Sequence, residues 1–89
     1  MQDYVISDHA RKEMTLRHIS DALVRRVLDD PDQVFEQRPG RMVYQSIFET
    51  VRAERRYLLR VFVDVDRVPM EVVTAYLTSR FARYWRSGP

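Results

Sequence analysis

The run Tyr-Leu-Leu-Arg-Val-Phe-Val-Asp-Val, residues 57–65, constrains the fold more than any other stretch of this chain. Branched and aromatic side chains dominate it, and such residues fit a pleated strand better than a helix. Strand alternation puts Leu59, Val61 and Val63 on one face and Leu58, Arg60, Phe62 and Asp64 on the other. Arg60 therefore stands mid-strand in an otherwise apolar run. A charged group in that position must reach water, a carboxylate or a ligand. Two readings follow: an ion pair with Asp64, two residues along the same face, or a cation kept for a ligand.

The remaining elements follow from hydrophobic period and end signals. Tyr4-Val5-Ile6 is a short extended lead-in. Ser7-Asp8 opens a helix over 8–17 that shows Ala10 and Met14 on one face. Ser20 opens a second, in which Ile19, Ala22, Leu23, Val27 and Leu28 keep the 3.6-residue period. Asp29-Asp30-Pro31 ends it, because the residue before a proline resists the helical region. Beyond Pro31 the period becomes two. Strands are expected at 34–37, 42–49, 57–65 and 70–77, with turns at Arg38-Pro39-Gly40-Arg41 and Asp66-Arg67-Val68-Pro69. The charged stretch 50–56 is expected to be a loop or a wide hairpin tip. Ser79 opens a last short helix, with Phe81 and Trp85 read as core. The order helix, helix, four strands, helix predicts an α+β domain: two helices at the start, a four-stranded antiparallel sheet and a short helix at the end.

With 89 residues, 45% of them apolar, the chain is read as one domain over 1–89. The absence of cysteine excludes disulfides, thiolate metal sites and a thiol nucleophile. Apolar runs are far shorter than the roughly 20 residues a membrane helix needs. No basic stretch followed by an apolar one opens the chain, so a cytoplasmic location is expected. Of 15 basic residues all but Lys12 are arginine, at a net charge of only +2. Guanidinium forks suit phosphates, although arginine-favouring codon use explains the bias equally well. With glycine only at positions 40 and 88, there is no glycine-rich phosphate loop. A serine triad has no supporting elbow motif.

Several residues could carry chemistry. Thr74 and Tyr76 share a face of the last strand, and with Arg60 they would form a polar patch suited to a phosphate or small ligand. His9 falls in the first turn of the first helix, where the dipole disfavours a protonated ring. It is read either as a general base or as a local packing residue. Arg41 opens a strand after a Pro-Gly turn. Arg80 and Tyr84, four apart, share a helix face, while Arg83 and Arg86 are expected on the solvated side. His18 reads as a linker residue. The two histidines are nine apart with no third ligand, so no metal and no cofactor are expected.

Residues 7–20, Ser-Asp-His-Ala-Arg-Lys-Glu-Met-Thr-Leu-Arg-His-Ile-Ser, resemble the opening of small bacterial proteins related to the BrnT toxins. Those openings carry a His-Ala pair, a Met and then Arg-x-Ile-Ser. Val27-Leu28-Asp29-Asp30-Pro31, Gly40-Arg41, Leu59-Arg60-Val61 and Val73-Thr74-Ala75-Tyr76 extend the resemblance over residues 7–84. It implies a fold like the RelE/ParE toxins and, in their ribonuclease branch, RNA cleavage by the substrate's own 2′-hydroxyl without a metal. His9, Arg60, Tyr76 and Arg80 would then be catalytic, with His9 as acid or base and arginine clamping the phosphate. Arg41 and Tyr84 would contact RNA, joined by Thr74 from the strand reading. The implied partners are RNA and a cognate antitoxin protein, with no membrane, and homo-oligomerisation is left open. One departure stands out: many RelE-type enzymes use several lysines, and this chain has one. The ParE branch acts on gyrase, so the alternative is a non-catalytic module acting on a protein partner. The enzyme reading expects His9, Arg60 and Tyr76 to converge near Arg80. The alternative expects a carboxylate on Arg60 and His9 elsewhere.

Overall fold

The computed structural model describes residues 3–50 and 55–87. Eight elements follow one another: β1 (Tyr4–Ile6), α1 (Asp8–Leu16), α2 (Asp21–Asp29), β2 (Gln33–Arg38), β3 (Arg41–Thr50), β4 (Arg55–Asp64), β5 (Met70–Thr78) and α3 (Phe81–Tyr84). Both long helices begin where a serine oxygen meets an unpaired amide. The Ser7 hydroxyl accepts from the Ala10 N–H at 3.0 Å, and that of Ser20 from the Leu23 N–H at 3.1 Å. Between the helices His18 adopts a left-handed conformation (φ 56°), which lets the Ile19 N–H reach back to the Met14 carbonyl. Gly40 turns the chain from β2 to β3 at φ 84°. That left-handed conformation is what calls for glycine; a Cβ there would only displace the exposed Asp66 side chain.

The strands form one five-stranded sheet in the order β1-β5-β4-β3-β2. This corrects the expected four-stranded antiparallel sheet. The lead-in Tyr4-Val5-Ile6 is a fifth strand that runs parallel to β5, pairing Tyr4 with Met70 and Ile6 with Val72. The other three pairings are antiparallel, so the sheet is mixed while the class remains α+β. A parallel partner for β5 must come from a distant part of the chain, and here α1, α2, β2, β3 and β4 intervene. The stretch expected as a loop or wide hairpin tip joins two paired strands, which extend into it: Thr50 ends β3, and Arg55 and Arg56 begin β4. Residues 51–54 lie outside the described part.

Alternation along β4 sorts the sheet into two faces. Leu59, Val61 and Val63 meet Ala10 and Met14 of α1 and Val24, Val27 and Leu28 of α2, and all eight are buried. Burying each of the larger side chains contributes about 1.5–3 kcal/mol, which makes this face the main source of stability. A register shift between Phe62 and Val63 leaves Val73 as an extra residue in β5. Val72 and Ala75 therefore enter the core, Val73 is half-buried and Leu77 is exposed, where simple alternation placed Val73, Ala75 and Leu77 together. The opposite face carries Arg60, flanked by Gln45 of β3 and Tyr76 of β5. Residues 79–87, including α3, cross that face. No described helix is long and apolar enough to cross a membrane.

Candidate functional site

Arg60 is 7% exposed, and its partners are neutral. Its Nε–H donates to the Gln45 side-chain oxygen at 2.9 Å, and Nη1 donates to the Tyr76 hydroxyl at 2.6 Å. Four rings surround the guanidinium: Tyr84 at 4.3 Å from ring centre to Cζ, Phe62 at 5.2 Å, Tyr76 at 5.7 Å and Phe35 at 5.9 Å. Ring faces are negative, so the cage supplies part of the stabilisation a carboxylate would otherwise give. Nη2 has no hydrogen-bond partner among the described residues, and no described buried polar side-chain atom is left unpaired. Arg60 lines an adjoining cavity of about 300 Å³ together with Arg83 and Arg86.

Asp64, the expected ion-pair partner of Arg60, is engaged elsewhere. Arg41 grips it with a two-pronged contact, Nε to Oδ1 at 2.7 Å and Nη2 to Oδ2 at 3.1 Å, and Arg67 adds a third at 3.3 Å. The hydrogen bonds from Arg41 hold the Asp64 carboxyl below its ordinary value, with burial opposing them. A depressed value in the folded state means stability that is complete above the ordinary aspartate value of about 3.9 and lost as pH falls through the folded value. Asp64→Asn is expected to cost about 1–3 kcal/mol at neutral pH, as for loss of a charged hydrogen bond. Acid titration of stability for both proteins checks this. The gap must close in strong acid, and a constant gap would show that the charge is not its source.

Burial pushes the Tyr76 phenol up from its ordinary value and the interaction with Tyr84 adds to this, while Arg60 pulls the other way. The net shift is upward, so Tyr76 stays protonated at neutral pH and is a proton donor rather than a base. Its ring stacks on Phe62 at 5.9 Å and meets the edge of Tyr84 at 6.2 Å. Thr74 lies one position along on the same face, opposite Phe62, and is half-buried.

The remaining candidates separate. His9 is exposed on α1, in the helical layer, so the sheet stands between it and Arg60. Lys12 is exposed on the same helix. Arg41 is committed to Asp64. Arg80 is exposed at the start of α3, which no serine side chain caps. Phe81 and Trp85, expected as core, are half-buried and line a separate groove with Ile47 and Arg56. Arg83 and Arg86 are exposed as expected, yet both border the Arg60 cavity, and Arg86 stacks on Phe35 at 3.9 Å.

Sequence reading missed Gln33, Phe35 and Gln45. Gln45 is fully buried and joins three elements: its amide nitrogen donates to the Gln33 side-chain oxygen at 2.7 Å and to the Tyr84 carbonyl at 3.1 Å. A signal existed, since Gln45 interrupts the Val43-to-Ile47 face of β3 as Arg60 interrupts β4. Among the described residues no three His, Asp or Glu side chains cluster in a way that could hold a metal ion.

The arrangement defines a class of site: a buried cation with neutral partners, open to a small basic cavity, suited to an anionic ligand. The family profile of DUF4258, a domain of unknown function, matches residues 6–78, and the chain belongs to that family. The match includes Arg60, Tyr76, Gln33 and Gln45 and ends before the segment that carries Tyr84 and Arg86. Comparisons with curated proteins and with solved structures found no match.

Proposed function

We propose that this domain is a toxin-like RNA-binding protein of a bacterial toxin–antitoxin pair, which holds an RNA phosphodiester at Arg60 and cleaves it through the neighbouring 2′-hydroxyl. The observation that carries the reading is the Arg60 guanidinium: buried, without a carboxylate and at the wall of a cavity. A core has no need of such a cation, whereas a phosphate does. The resemblance of residues 7–84 to BrnT-related proteins supports the same reading. In this role Arg60 stabilises the charge that develops on the phosphorane. The 2′-oxygen attacks phosphorus with its proton passing to solvent water, and the P–O5′ bond breaks to leave a 2′,3′-cyclic phosphate. The protonated Tyr76 phenol, polarised by Arg60, donates to the departing 5′-oxygen and is reprotonated from solvent. His9 has no part in it, given its place on the far side of the sheet.

That same placement favours a second reading, in which the module binds without cleaving and acts on a protein partner. The two are separated by incubating the purified chain with labelled single-stranded RNA and measuring both retention and fragments. Wild type is expected to bind in a salt-dependent manner and to release fragments, while Arg60→Lys, which keeps the charge but loses the fork, loses at least about tenfold in binding, or roughly 1.4 kcal/mol. Binding without fragments would favour the second reading. Absence of both would sink the proposal.

A further inference from the structure

We propose that residues 79–87 form a strap that gates Arg60, clasped at its end by the side-chain amide of Gln33. The inference concerns control of the Arg60 site and rests on the reading of that residue as the phosphate contact. The segment's apolar anchorage is shallow: α3 spans four residues, and Phe81, Tyr84 and Trp85 are only half-buried. Polar and specific contacts add to it. Gln33 pairs with the backbone of Arg86 as a neighbouring strand would, its amide nitrogen donating to the Arg86 carbonyl and its oxygen accepting from the Arg86 N–H at 3.1 Å. Both bonds are exposed to water, so they exchange readily with solvent. Further in, Gln45 donates to the Tyr84 carbonyl, and the Tyr84 ring lies over the Arg60 guanidinium.

One hydrogen-bonded chain therefore runs from the strap to the cation: Arg86 to Gln33, Gln33 to Gln45, Gln45 to Arg60. While it holds, Arg60 is 7% exposed and Tyr84 roofs it. The cavity of about 300 Å³ beside Arg60 is walled by the strap's own Arg83, Tyr84 and Arg86, so a polymeric anion reaches the cation only when the strap lifts. Binding then draws on the fraction of molecules with the strap open, which lowers the apparent affinity by that fraction. Loosening the Gln33 clasp, which removes no charged side chain, is thus expected to increase ligand affinity.

The chain carries its own reporter, because Trp85 is its single tryptophan and lies in the strap. The test compares the full chain with Gln33→Ala and Gln33→Glu, the latter keeping an oxygen for the Arg86 N–H while losing the donor. Three readouts are taken: Trp85 emission, the rate at which phenylglyoxal modifies Arg60 as followed by peptide mass spectrometry, and retention of single-stranded RNA. Gln33→Ala is expected to shift the emission to the red, speed Arg60 modification severalfold and tighten RNA binding, with Gln33→Glu intermediate. Unchanged emission and modification in both variants would overturn the strap, whatever RNA does. So would faster modification with weaker RNA binding, since the segment would then be part of the binding surface. If Arg60 becomes accessible while neither wild type nor variant binds RNA, the strap stands and the RNA reading falls. A variant that fails to fold shows as lost helical circular dichroism, and the other variant then decides.

Discussion

Gln45→Leu is expected to cost about 3–5 kcal/mol, and adding Arg60→Met is expected to return part of that loss. The two side chains meet inside the protein, with Gln45 fully buried and Arg60 nearly so. Removing the glutamine oxygen leaves Nε of a buried cation without its acceptor, and the same change frees the Tyr84 carbonyl and the Gln33 oxygen. An uncompensated buried charge is among the costliest defects a small protein can carry, and total stabilities run only to about 5–15 kcal/mol. Methionine at position 60 spans a similar length without charge, so the second substitution removes the defect the first creates. Urea titration of the two single variants and the double variant gives the coupling directly. A double variant less stable than Gln45→Leu alone would show that Arg60 stabilises the fold in its own right, and the case for a cation kept for a ligand would weaken.

Leu59→Ala is expected to lower stability by about 2–5 kcal/mol, the usual range for emptying a leucine site in a packed interior. Leu59 is fully buried among the residues of α1, α2 and β5. The midpoint shift in urea measures the loss. A change below about 1 kcal/mol would mean that the site collapses around the missing atoms or that the helices are not packed on this face. Because Leu59 points away from Arg60, RNA retention by the folded fraction is expected to be unchanged, which distinguishes it from substitutions on the polar face.

Local patterns in the sequence were enough for the two helices and for β4. Ser7 and Ser20 announce helix starts because a short oxygen-bearing side chain is one of the few groups that satisfies a first-turn amide. The alternation through Leu59, Arg60 and Val61 announces a two-faced strand. What escaped depends on distant parts of the chain. Tyr4–Ile6 is too short to show a period, and its role as a strand exists only once β5 is beside it. The extra residue Val73 leaves no mark on the apolar pattern, yet it decides which valine enters the core.

The site divides in the same way. Arg60 and Tyr76 were legible as polar positions in strands, and the structure places them in direct contact. His9 was chosen for its helix position, which fixes its local field but not the side of the sheet on which its helix lies. Asp64 was the nearest carboxylate to Arg60 along β4, yet in a sheet the neighbour across the strands competes with the neighbour along it. Arg41 stands directly opposite Asp64 and takes it. Gln45 stands opposite Arg60 in the same pairing, so register assigns both partners.

The parallel seam between β1 and β5 also has a consequence for the order of assembly. The hairpins β2–β3, β3–β4 and β4–β5 join neighbours and close over short stretches. By contrast, the Ser7 hydroxyl meets the Val73 carbonyl across a sequence separation of 66 residues. The entropy lost in closing a loop rises with its length, so this contact is the slowest to be recouped. The antiparallel strands can form a sheet by themselves, but its β5 edge stays open until residues 4–6 return to cover it. The first strand along the chain is, on this reckoning, the last to find its neighbour.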